Sequence, residues 1–148
     1  MSDVRTLPAA ESVAIAWLVP HPLLSELVGS RVYADVPEGA TYPLVRIERI
    51  GGGTIGGGHW LDSAHLQISA WAANAITEQG FGSARSAARG ICEQAIAALH
   101  ELSGVTELAV VTAVEDVAGA KFVPDPATHH PRFIGEVLLT LHPLREAS

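Results

Sequence analysis

Three glycines in the run Gly51 to Gly58, at positions 51, 53 and 56, satisfy the G-x-G-x-x-G spacing that can cradle a pyrophosphate. That chemistry needs a helix opening directly after the loop, so that its N-terminal N–H groups meet the anion. Here Trp60 to Trp71 reads as a strand instead, and no Gly-Lys-Ser/Thr ending makes a P-loop. Six glycines in eight positions predict a hairpin loop that stays mobile until something orders it. Histidine is the next candidate. His129 and His130 are adjacent, and adjacent residues on extended chain point apart; His59 and His65 have no spacing that fixes a metal site. Ser25, Ser63 and Ser83 lie outside any G-x-S-x-G elbow. Glu115 and Asp116 are neighbours at an expected strand end and alternate faces, which argues against their working as an acid–base pair. The single cysteine, Cys92, falls in a helical apolar pattern and reads as a small buried hydrophobe. The residues thus point to no catalytic, cofactor-binding or metal site, and the expectation is of a chain that is not an enzyme.

Tryptophan is more informative. Trp17 belongs to the apolar stripe of a first helix and is expected in the core. Trp60 borders the glycine run, and Trp71 points away from Leu66, Ile68 and Ala70 along its strand. A Trp on a nominally wet face is what an interface would use.

The elements that must position these residues follow from the patterning. Thr6 to Val19 reads as a helix, with Thr6 as N-cap, Pro8 in the first turn and Glu11 at the positive end of the dipole. Pro20 and Pro22 stop it, and a short helix, Pro22 to Val28, ends at Gly29. Arg31 to Val36 and Leu44 to Ile50 read as strands, the second alternating Val45 and Ile47 with Arg46, Glu48 and Arg49. Asp62 to Trp71 alternates likewise, so an antiparallel hairpin is the simplest connection. A long helix over about Thr77 to Leu102, capped by Thr77 or Asn74, carries Phe81, Ala84, Ala88, Ile91, Ala95, Leu99 and Leu102 on one stripe and ends at Gly104. Two strands, Glu107 to Val117 and Pro131 to His142, close the chain around a Pro-, Asp- and His-rich loop from Ala118 to His130. The predicted class is α+β, a two-layer sandwich in which one long helix packs on a mostly antiparallel sheet, with a short N-terminal helical segment, in one domain over 1–148.

Composition limits what such a domain can do. The 148 residues carry 48% hydrophobic and 17% charged side chains, too apolar for intrinsic disorder. No apolar run reaches the roughly 20 residues of a membrane helix, and Asp3 and Arg5 do not make a signal-peptide start, so synthesis in a cytoplasm and no membrane partner are expected. A net charge of −7 disfavours nucleic-acid binding through a basic face. It is compatible with a ring that lets DNA pass without holding it.

One resemblance covers roughly Val13 to His142. The phrase Pro22-Leu23-Leu24-Ser25-Glu26-Leu27-Val28-Gly29-Ser30-Arg31-Val32-Tyr33 is similar to the opening of the tail terminator, or tail-completion, proteins of long-tailed bacteriophages. Tyr42-Pro43-Leu44-Val45-Arg46-Ile47, the glycine turn, His65-Leu66-Gln67-Ile68-Ser69-Ala70-Trp71, the small-residue helix, Pro124-Asp125-Pro126 and the strand Phe133 to Leu141 follow in that family's order. The chain departs from the family in its glycine density and its first residues.

The resemblance implies a structural virion protein at the tail–head junction. It implies a homohexameric ring that ends tail-tube polymerisation, with the tail tube protein and the head–tail connector protein as partners. Gly52, Gly53, Thr54, Ile55, Gly56, Gly57, His59, Trp60, Trp71, Lys121, Asp125, His129 and His130 are the candidate interface residues, because long loops with little regular structure are often functional. Deleting Gly52 to Gly57 is expected to leave folding intact and reduce tail completion. Two other readings stay open at this point: another neck or head-completion protein, and a small ligand-binding regulatory domain.

Overall fold

The computed structural model describes residues 9–54, 61–73 and 81–144, including all their side chains but those of 81–83. Helix α1 spans Ala10–Leu18 and buries Ala10, Val13, Ala14 and Leu18, the i, i+3, i+4, i+8 stripe of a helix lying on a core. Its N-cap position holds Ala9, whose side chain makes no capping bond. The expected cap Thr6, with Pro8, lies outside the described residues. Helix α2, Pro22–Val28, begins on proline, where a missing N–H costs nothing, and ends at Gly29 with φ +60°.

Six strands form one mixed sheet in the order β1-β2-β3-β6-β5-β4. They are β1 Val32–Tyr33, β2 Leu44–Thr54, β3 Asp62–Trp71, β4 Gly104–Val105, β5 Ala109–Phe122 and β6 Arg132–Pro143. Among the described residues only β1 and β2 pair in parallel. Register aligns the apolar positions on one face. Ile47 stands opposite Ile68, Ala64 opposite Leu139, Leu66 opposite Val137 and Ala70 opposite Phe133. All eight are buried. Helix α3, Phe81–His100, lies on this face with Ala84, Ala88, Ile91, Ala95 and Leu99 turned inward. Small residues let it approach closely. At Gly135 a Cβ would stand 2.4 Å from Ile96 Cδ1, so the bare backbone of β6 is what α3 packs against there.

The helix ends are tied down by polar contacts. Trp17 Nε1 donates to the carbonyl of Ala98 at 2.7 Å, and His21 Nε2 lies 2.6 Å from Glu101 Oε2. His100 Nε2 lies 2.7 Å from Asp116 Oδ1 on β5.

The α+β class and the β2–β3 hairpin stand as read from the sequence. Several boundaries do not. Among the described residues three helices pack, at the places expected for the first, the short second and the long helix, so the long helix does not cover the sheet alone. Trp17 is partly buried at the margin of the core. The strand expected over Arg31 to Val36 is two residues long, because the chain turns away at Asp35 to reach the cis Tyr42–Pro43 peptide. Gly51, Gly52, Gly53 and Thr54 belong to β2, paired with β3 down to Thr54 opposite Asp62. β5 continues to Phe122 through three register shifts, so Lys121 is a strand residue and the final loop shrinks to positions 123–131. The same extension puts Glu115 and Asp116 in mid-strand. Gly104 opens the short β4 after α3 has ended at His100.

Candidate assembly interfaces

The antiparallel register separates the two expected contact loops. Leu44 opposes Trp71 and Trp71 opposes Arg132 at one end of the sheet. Thr54 opposes Asp62 and Asp62 opposes Leu141 at the other. The nine residue steps from Asp62 to Trp71 span about 30 Å. β2 therefore ends and β3 begins at one end of the sheet, and the β5–β6 loop leaves the opposite one.

Four of the candidate residues meet at the β5–β6 end. Trp71 stands on the face away from the helices, yet only 6% of it is exposed, because the loop folds over it. Its indole Nε1 donates to Asp125 Oδ2 at 2.8 Å. The same carboxylate accepts the Ala127 N–H at 3.0 Å and the Thr128 hydroxyl at 3.0 Å. Asp125 thus organises the loop as an Asx turn does, with a tryptophan as its tether. Burial by itself would raise the Asp125 carboxyl. The bonds from Trp71, Ala127 and Thr128, with the Arg132 charge, outweigh it and hold the carboxyl below its ordinary value.

Around this tether the loop is built from rings and carbonyl bonds. The His130 imidazole stacks on Tyr42, 4.0 Å between centroids and 14° between planes. Tyr42 also meets Trp71 edge-on at 6.5 Å. Burial, then the Asp125 charge, push the Tyr42 phenol up, while a hydrogen bond with Thr128 opposes them. Arg132 reaches back from β6 to the carbonyls of Val123 and Pro124 and lies 5.7 Å from the Trp71 ring. His129 is exposed, in the left-handed region at φ +62°. Its side chain, Pro124 and Pro126 are exposed at this end. Sequence reasoning missed Tyr42, Thr128 and Arg132. Alternation alone places Trp71 on the outer face, but only the β3–β6 register brings Arg132 beside it.

The opposite end is held by an ion pair. Arg49 donates from both terminal nitrogens to Asp62 at 2.7 Å each, and Asp62 is 3% exposed. A two-bond fork of this kind fixes geometry as well as charge. The hydrogen bond to Asp62 raises the Arg49 pKa against the opposing effect of burial, with the charges of Asp62 and Glu11 adding. Beside it β2 bulges between Arg49 and Gly51. Gly52 has φ +92°, and a Cβ there would fall 1.9 Å from the Ser63 carbonyl oxygen. Only glycine fits that position. Gly53 and Thr54 are exposed strand residues at the same end. Ile55, Gly56, Gly57, His59 and Trp60 lie outside the described residues. Lys121 belongs to neither loop: it is exposed on β5, opposite Ile134.

Among the described residues no cluster of His, Cys, Asp or Glu is disposed to hold a metal ion. Cys92 is buried on the inner face of α3, and burial, with the Glu93 charge, pushes its thiol up to about 12.

Comparison with known proteins matches the chain to one family. The family model described as "Tail completion protein gp17" matches residues 14–133. Among solved structures, one chain of the "Virion of native gene transfer agent (GTA) particle" has the same fold, with a TM-score of 0.56 at 17% identity. The alignment covers 90% of this chain and 95% of that one. No curated protein matches the sequence.

Proposed function

The chain belongs to the tail completion protein gp17 family, and from that premise we propose that it caps the phage tail tube as a ring, ending tube polymerisation and forming the joint to the head connector. It is a structural phage tail protein and carries out no catalysis in this role. One folded domain over 1–148, made in the host cytoplasm, takes its place at the tail–head junction. The partners are further copies of itself in a homohexamer, the tail tube protein and the connector protein.

The observation that supports this reading is the separation of the two contact ends. A terminating ring must bind a tube on one side and a connector on the other, and a subunit with both loops at one end would serve only one of them. Here about 30 Å of sheet lies between the tethered loop at Trp71–Asp125 and the hairpin end at Gly52–Thr54. Each end is rigidly based, one by the Asp125 tether and the other by the Arg49–Asp62 fork. The acidic surface suits a passage for DNA, since a net charge of −7 gives phosphates little to adhere to.

The test is complementation of phage lacking the chain. A cut of positions 52–57 would remove ladder residues, so the hairpin is shortened by deleting 55–58. A second variant replaces His129 and Pro126 by Ser. The reading expects the folded variants to leave tails that form but do not complete, with the two variants failing at different joints. Full infectivity from both would refute the assignment of these ends.

A further inference from the structure

Among the described residues, both long outer strands of the sheet keep an open flank. β1 covers β2 only at Val45 and Arg46, and β4 covers β5 only at Val110 and Val111. Positions 47–54 of β2 and 112–121 of β5 therefore have a strand on one side alone. One bond gives the backbone direction: the Val45 N–H donates to the Arg31 carbonyl, on the β1 side. Backbone groups along a strand point alternately to its two flanks, so those of Ile47 and Arg49 face the flank that no strand covers. Such a row of N–H and C=O groups is a template for another strand, and proteins ordinarily blunt it with bulges, charges or proline. Both flanks here carry bulges, and what two of the bulges expose is apolar. Ile50 is the extra residue between the Arg49–Leu66 and Gly51–His65 pairs, and Val117 the extra residue between Asp116–Val137 and Ala118–Glu136. A bulge leaves its extra residue out of the ladder and re-aims the side chain. Ile50 is 43% exposed and Val117 49%, two β-branched aliphatics near the middle of the two open stretches. β5 also exposes Glu115 and Asp116, so it suits a partner strand that brings no side chain against them.

We propose that the open stretch of β5 in one subunit pairs, antiparallel, with the open stretch of β2 in a second copy of this chain. Topology supplies the direction. The β2–β3, β3–β6 and β6–β5 pairs are all antiparallel, so β2 and β5 run in opposite senses. A neighbour turned about an axis along the strands keeps its own sense, and its β2 meets β5 in the antiparallel arrangement the sheet already uses. Position agrees as well. Val45 lies level with Phe122 through Ala70 and Phe133, and Thr54 with Val111 through Asp62 and Leu141, so the two open stretches cover the same height of the sheet. β1 and β4 sit at diagonally opposite corners, and a slide by the length of one two-residue stub clears both. Stagger of that kind is what a sheet needs in order to close on itself. Ile50 and Val117 then lie about one residue step, ~3.4 Å, apart along the strands. Asp116 and Glu115 fall among Gly51, Gly52 and Gly53, which put no side chain against them. Each subunit turns a different edge to each neighbour, which makes the contact head-to-tail. The proposal rests on the ring reading above and names the strands that make the ring.

The test is cysteine cross-linking of the full chain with a short bis-maleimide, which tolerates a residue step of register in either direction. Cys92 is buried and its thiol is pushed up to about 12, so the wild-type chain serves as the unreacted control. Both substituted positions are exposed, and circular dichroism checks that each variant folds. I50C/V117C is expected to give a ladder of covalent oligomers. An equimolar mixture of I50C and V117C is expected to give dimers only, and either single variant alone none. Dimers from I50C alone or V117C alone overturn the head-to-tail pairing in favour of a two-fold one. Sedimentation velocity over a concentration series on the wild-type chain separates the other failures. Oligomers without a cross-linked ladder overturn this interface and leave the ring standing. A chain that stays monomeric throughout and gives no ladder overturns the ring reading and this interface together. In the same experiment I50D and V117D are each expected to weaken self-association by about tenfold or more, and association as tight as wild type in both overturns the pairing.

Discussion

Replacing Asp125 with alanine removes one carboxylate that accepts from three donors, Trp71 Nε1, the Ala127 N–H and the Thr128 hydroxyl. The Ala127 and Thr128 donors lie near the surface, so water takes over much of their loss. The indole N–H does not have that recourse, because Trp71 is 6% exposed and the loop lies over it. A hydrogen bond to a charged acceptor contributes about 1.5–3 kcal/mol, and an orphaned buried donor costs a similar amount. The expected loss is about 2 kcal/mol, or roughly 4–8 °C in melting temperature for a chain of this size. The sign of its pH dependence follows from the depressed carboxyl of Asp125. A group held below its unfolded value contributes fully above that value, near ~4, and loses the contribution as pH falls through the folded one. The gap between wild type and Asp125→Ala should therefore be complete at neutral pH and narrow on acidification below about pH 4. Thermal unfolding followed by circular dichroism at several pH values reads the gap, and red-shifted tryptophan emission reports Trp71 becoming wet. A variant within about 0.5 kcal/mol of wild type, or a gap that does not change with pH, would refute the tether.

Further expectations follow from other positions. Gly52→Ala should destabilise by at least ~2 kcal/mol in denaturant unfolding, since it meets both a positive φ and the Ser63 carbonyl; an unchanged midpoint would show that the hairpin end is not built as described. Cys92 should resist alkylation at pH 8 in the folded protein, with a thiol held near 12 leaving only about one thiolate in ten thousand, and react once denaturant is added. Leu66→Ala, in the middle of the sheet's buried face, should cost about 2–5 kcal/mol. Arg49→Met should weaken the hairpin base by about 3 kcal/mol, because it strands the Asp62 carboxylate, which is 3% exposed; equal stability would mean that water reaches it.

Periodicity made most of the core legible. The stripe on α3 and the alternation in β2 and β3 named the buried positions, since burial on one face leaves a helix or strand little other choice of pattern. Boundaries were lost where backbone geometry overrides composition. Six glycines in eight positions look like a loop, but Gly51 to Gly53 hold a bulged strand because the ladder to Ser63, Ala64 and His65 continues past them. The Asp125 loop was legible only in part. Trp71, Asp125 and His130 could be picked out as candidates, while their meeting depends on Trp71 pairing with Arg132, a register between residues 61 positions apart that no local pattern encodes. Trp71 was assigned to a wet face for the same reason. Its face was read correctly, and the cover came from a loop far along the chain.

Native mass spectrometry across a concentration series, with negative-stain images of the same samples, tests the central claim most directly. A ring of six subunits around an open centre is the result predicted for a chain that caps a tail tube. A closed dimer or tetramer without a central hole would contradict it.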